Sequence, residues 1–164
     1  MIVKFFNFRK FSSLYVTKLC LILFFLISIN ACGSDRIPLK ILAGDTGALR
    51  GKFSVEIADE PQERTLGLMY RKTLGANHGM IFIFPYLVDG PFWMKNTLIP
   101  LDILFISEDK KIHTIDANAV PQTTTPRESL DSYKYVLEIA GGRAQALGIK
   151  VGDKVEFQAK ETQQ

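Results

Sequence analysis

Cysteine is nearly missing from this 164-residue chain: there are two, at positions 20 and 32, and none beyond. Everything after Cys32 therefore folds without a disulfide and works without a thiol nucleophile, so an apolar core must hold it. Histidine is as scarce. His78 and His113 are the only two, and neither has the zinc-finger or H-E-x-x-H spacing that a zinc site needs. No serine sits in a G-x-S-x-G elbow, and no phosphate-cradling glycine loop leads from a strand into a long helix. Carboxylate pairs for glycoside hydrolysis cannot be picked out without geometry.

A basic excess is also lacking where it would matter. The chain has 20 basic and 17 acidic residues. Lys4, Arg9, Lys10 and Lys18 fall in the first 31 residues, which contain no acid, so 20 less 4 leaves 16 bases against 17 acids in the rest. Nucleic-acid binding has no electrostatic support from that balance. Long hydrophobic runs are missing too. The apolar stretch Leu19 to Ile29 has 11 residues, whereas a spanning helix needs roughly 20.

That short run is nonetheless informative. A positive n-region, an apolar h-region and then Ile29-Asn30-Ala31-Cys32 resemble a bacterial lipoprotein signal. On this reading residues 1–31 are a leader, Cys32 is the lipidation site, and the product is exported to a cell membrane or outer membrane, facing the periplasm or the exterior. An uncleaved anchor and a plain secretory signal cut after Ala31 are the alternatives. Each buried methylene contributes about 0.8 kcal/mol, so two or three acyl chains hold where one does not.

Residues 32–48 are rich in Gly, Pro, Ser and Asp and read as a tether, with an apolar piece, Ile37 to Ala43, that can dock on the domain. Residues 49–160 form one domain of adequate size for its own core, and 161–164 a polar tail. Seven short strands are expected: Lys52–Ala58, Gly79–Phe84, Phe92–Lys95, Asp102–Ser107, Lys111–Val120, Tyr135–Ile139 and Lys154–Ala159. Helices are expected at Glu60–Tyr70, behind an Asp59 N-cap, and at Gly141–Leu147, stopped by Gly148. Without βαβ alternation this predicts a mainly β (α+β) fold, a single small antiparallel β-barrel or roll with two short helices.

Four runs carry a family resemblance: Glu63–Met69 (ERTLGLM), His78–Phe82 (HGMIF), Phe92–Phe105 (FWMKNTLIPLDILF) and Leu147–Asp153 (LGIKVGD). They resemble the domain of unknown function 192 family over about Lys52 to Phe157. The resemblance implies a compact, mostly β domain of bacteria and archaea, often behind an export signal, with no established activity. Similar sequences often carry cysteines where this chain has Pro121 to Pro126, so thiol chemistry suspected for relatives has no residue to use here.

Aromatic and polar residues crowd the Phe92–Asp102 run, as they do where a small ligand binds. The expected binding surface is Arg64, Trp93, Lys95, Asn96 and Asp102. The bland reading sits beside it: Phe92 and Met94 as core, Asn96 as a turn residue, Asp102 as a cap or an ion-pair partner. The leading functional reading is a non-catalytic, membrane-tethered module for an unknown small molecule or envelope protein, with no cofactor and no nucleic acid. Two alternatives stay open. One is an envelope hydrolase using Asp102 and His78 as acid and base. The other is a Cu(I)-handling domain built from Met69, His78, Met80 and Met94, whose thioether and imidazole groups suit that ion.

Overall fold

The computed structural model describes residues 36–158, and the leader with Cys32 lies outside them. Seven strands form one sheet: β1 (Arg36–Leu42), β2 (Leu49–Ala58), β3 (His78–Val88), β4 (Leu101–Ile106), β5 (Ile112–Ala119), β6 (Tyr133–Ala140) and β7 (Lys154–Phe157). Their order across the sheet is β5-β4-β6-β3-β2-β1-β7. The mainly β expectation holds. Every neighbouring pair is antiparallel except β2 and β3. The sheet curls until β7 meets the β4–β5 turn. Ile112 N–H donates to Asp153 O at 2.9 Å, Gly152 N–H to Ile112 O at 2.8 Å, and Val155 N–H to Lys110 O at 2.8 Å.

Alternation sorts side chains onto an inner and an outer face. The inner face, the barrel interior, gathers Leu39, Ile41, Val55, Ile81, Leu104, Leu137, Ile139 and Val155. The outer face of the central strands carries Met80, Phe82, Ile103, Phe105 and Val136, and it is equally apolar. Connections must therefore cover it. The parallel pairing of β2 with β3 requires a crossover, residues 59–77. β3 and β4 both lie antiparallel to β6, one on each side, so residues 89–100 must cross over β6 to join them. Both crossovers run over the outer face, where Leu68 of the first and Met94 of the second are buried in one cluster.

The first crossover begins with helix α1 (Pro61–Leu66). Its N-cap is Glu60, one residue later than the pattern suggested, because Glu63 Oε2 accepts from Glu60 N–H and Asp59 N–H, each at 3.2 Å. The helix also stops four residues early. Gly67 takes φ 49° and ψ −133°, a conformation that favours glycine and breaks the helix. Leu68 is thereby turned inward, while Leu66 stays half exposed. Helix α2 (Arg143–Leu147) ends at Gly148 in the left-handed region, as expected.

Two expectations need correcting. The tether does not run to residue 48: Arg36–Leu42 is a strand between β2 and β7, because Ile37, Leu39 and Ile41 alternate inward and fill the barrel. Phe92–Lys95 is not a strand. It makes one bridge, Phe92 to Arg127, and its apolar side chains cover the outer face instead.

Asp102 is fully buried at the inner end of β4. Its Oδ1 accepts from Asn118 N–H at 2.7 Å and Gly142 N–H at 2.8 Å, and its Oδ2 from Ala144 N–H at 2.7 Å. One carboxylate thus ties β4, β5 and the start of α2 together. Removing it strands three donors, one buried and two partly buried, at about 1–3 kcal/mol for a fully buried one. Asp102→Ala is therefore expected to cost on the order of 3 kcal/mol or more in urea denaturation, and a loss under 1 kcal/mol would contradict this role.

Candidate functional site

Where the two crossovers part, they leave a cavity of about 580 Å³ on the outer face, within the usual range for a small-molecule site. One wall is α1 and the turn after it, with Arg64, Leu66, Gly67 and Met69; the other is Val88–Trp93 and Thr97. The floor is Phe82 and Phe84 of β3 and Tyr133 and Glu138 of β6.

Aromatic packing makes this floor rigid. Phe92 meets Phe82, Phe105 and Tyr133 edge to face at 5.2, 5.7 and 6.1 Å between centroids. Tyr133 O–H donates to Gly90 O at 2.5 Å, joining the floor to the second wall. Burial, aided by the nearby Asp89 charge, pushes the Tyr133 phenol up to about 12, so it remains a donor at physiological pH. The two walls are clasped to each other. Tyr70 N–H donates to Asn96 O at 2.8 Å and Asn96 Nδ2 to Tyr70 Oη at 2.9 Å, with both residues in the left-handed region.

Arg64 stands at the mouth. Its guanidinium lies 5.3 Å over the Phe84 ring and donates to Ile83 O at 2.9 Å and to Asp59 O. Trp93, the chain's only tryptophan, is half exposed at the rim.

Glu138 is the unusual member. Its cross-strand neighbours are Met80 on β3 and Ile103 on β4, and it is buried. Among the described residues no donor and no cation partners its carboxyl. Burial alone pushes it up from 4.5 to about 8. The same transverse row of the sheet holds a contrast. Glu56 pairs with Met80 from the other side, and it is held by Arg36 at 2.9 Å and Arg71 at 2.6 Å. Beyond Ile103, Asp116 faces Arg127 at 3.3 Å. Of the three acids in the row, Glu138 alone has no ion-pair partner among the described residues, and it faces the cavity. Gly67 keeps the space above it open: a Cβ there would come 3.1 Å from Phe82 Cζ and 3.9 Å from Glu138 Oε2.

The expected binding residues divide. Arg64 and Trp93 line the cavity, and Asn96 clasps its walls. Lys95 is exposed and outside the lining. Asp102 lies on the inner face, away from it. Asp102 also cannot act with His78. Cross-strand partners share a face, and Asp102 opposes Ile139, which opposes Gly79, so His78 beside Gly79 faces the other side. That removes the acid–base pair of the hydrolase reading. Of the copper candidates, Met69 lines the cavity, Met80 and Met94 are buried in the outer-face cluster, and His78 Nδ1 lies 3.3 Å from Arg36. Glu138 was missed. The one signal available was a lone acid inside an apolar strand, Val136-Leu137-Glu138-Ile139-Ala140.

The sequence pattern of the DUF192 family, described as Uncharacterized ACR, matches residues 43–157. The chain belongs to this family. A UPF0127 protein of Pyrococcus abyssi is 27% identical over 125 residues, covering 73% of this chain and 98% of its own length. A protein of unknown function from Novosphingobium aromaticivorans has the same fold at TM-score 0.72 and 41% identity, covering 78% of this chain and 89% of its own. A Sinorhizobium meliloti protein, provisionally named a transcription regulator, matches at TM-score 0.71 and 38% identity, covering 74% of this chain and 93% of its own.

The Glu138 environment has a measurable consequence. Between pH 4.5 and about 8 the folded protein holds this proton and the unfolded chain does not, so wild-type stability falls as pH rises through that window. Glu138→Gln removes the slope. The variant is expected to gain on wild type by several kcal/mol between pH 5 and pH 8.5, measured by denaturation at both values. Parallel pH profiles would contradict the assignment.

Proposed function

We propose that this member of the DUF192 family is an exported lipoprotein moored through Cys32, and that its domain is a non-catalytic module binding a small, largely apolar ligand. The observation that carries the binding reading is the outer-face cavity, lined by aromatic rings and floored by one carboxyl that no group among the described residues satisfies. Arg64 and Trp93 form its mouth, and Asn96 fixes the distance between its walls.

The address rests on the leader. Among the described residues no helix is long and apolar enough to cross a membrane. Strand β1 starts at Arg36, four residues after Cys32, so a lipid on Cys32 would hold the start of β1 within about 15 Å of the bilayer surface. The transcription-regulator name of the Sinorhizobium relative is not carried over, since 16 bases against 17 acids offer no field for nucleic acid.

Two measurements test the reading. Mass spectrometry of the mature protein is expected to find acylated Cys32 as the first residue, and retention of residues 1–31 would overturn the address. Trp93 at the cavity rim reports occupancy by its emission. Titration with small aromatic fragments is expected to give a saturable shift, whereas no saturable change with any fragment would overturn the cavity as a binding site.

A further inference from the structure

Glu138 narrows the ligand class. We infer that the cavity takes a cationic amine, an ammonium group carrying an apolar body, with the Glu138 carboxylate as its counter-ion. This rests on the cavity being the binding site.

The argument begins with what Glu138 lacks. A buried carboxyl ordinarily collects backbone N–H donors or a guanidinium, as Asp102 and Glu56 do. Glu138 collects neither, and it opens on a space that a ligand can enter. Its cross-strand neighbours, Met80 and Ile103, are apolar, and Gly67 lies above it. Among the described residues nothing supplies the missing donor, which leaves that role to a ligand.

The surroundings favour a positive donor. Phe82, Phe84, Phe92, Trp93 and Tyr133 line the cavity, and an aromatic ring attracts an ammonium group placed over its face. The charged groups around Glu138 are few. Asp89 at the rim adds a second negative group. Arg64 is the one cation in the lining, and its guanidinium is already engaged by two carbonyls and the Phe84 ring. Along the row, Glu56 is matched by Arg36 and Arg71, and Asp116 by Arg127. Among the described residues no cation pairs with Glu138, and the guanidinium of Arg64 is held at the mouth by those carbonyls.

Ligand and proton compete for the same carboxyl. An ammonium ion binds the ionised form, so its entry at neutral pH releases one proton to solvent. With the free carboxyl at about 8, apparent affinity should fall nearly tenfold for each pH unit below that value and level off above it.

The test uses the lipid-free mature domain and 2-phenylethylamine, an N–H donor that stays largely cationic from pH 6 to pH 9, with 2-phenylethanol and phenylacetate as neutral and anionic controls. Isothermal titration at pH 6, 7, 8 and 9 is expected to show binding of the cation that tightens with pH, in preference to both controls. At pH 7 the heat should vary with buffer ionisation enthalpy, as proton release demands. Glu138→Gln should weaken cation binding at least tenfold, with no pH dependence left. That variant removes a group the fold does not pair, so it is expected to fold, and its denaturation curve checks this. If the controls bind as well as the cation, or the variant binds it unchanged, the amine assignment falls while the cavity reading stands. If none of the three binds, both fall.

Discussion

A sheet that is greasy on both sides has to be covered twice. Curling covers the inner face, since β7 reaches the β4–β5 turn and encloses Leu39, Val55, Leu104 and Leu137. It cannot cover the outer face, where Met80, Phe82, Ile103, Phe105 and Val136 would otherwise meet water. Burying each such side chain contributes about 1.5–3 kcal/mol, so the connections are drawn down over it. Strand order then decides which connections do the covering. A parallel step from β2 to β3 and a jump from β3 over β6 to β4 each send a crossover across the same surface. The cavity is the gap between those two covers, so its place follows from topology rather than from any one loop.

The electrostatics follow from that gap. Glu138 stands on the outer face in a region the crossovers dry out but do not fill. A carboxyl in such a place either finds a cation or keeps its proton. Two neighbouring acids in the row found arginines, and Glu138 did not. Retaining it lowers the stability of the empty domain at neutral pH, as binding groups commonly do. The clasp between Tyr70 and Asn96 and the edge-to-face rings hold the walls in place around it, so little ordering remains for a ligand to impose.

Much of the barrel could be read from the residues. Period-two alternation located β2 and β6, continuous apolar runs located β3 and β4, and the Gly148 cap located the end of α2. Strand β1 was read as a docking piece because Pro38 and the surrounding polar residues disguised the inward row Ile37, Leu39, Ile41. Phe92–Lys95 looked like a strand because a covering loop also buries alternate residues, and hydrophobicity does not record hydrogen bonds. Trp93, singled out for the density of aromatic and polar residues in the Phe92–Asp102 run, does line the cavity, as does Arg64 from outside that run. Asp102 shared that run but points inward, a distinction set by pairing register. Glu138 was illegible for the opposite reason. An acid on an alternating strand reads as solvent-facing, and only the strand order shows that this face is roofed.

The account stands on one carboxyl being dry and unpaired. Carbon-13 NMR of the Glu138 side-chain carboxyl, followed across pH in the unliganded domain, measures that directly. A titration midpoint near 8 is the predicted result. A midpoint at the ordinary 4.5 would mean that water or a protein donor reaches the group, and would contradict the account.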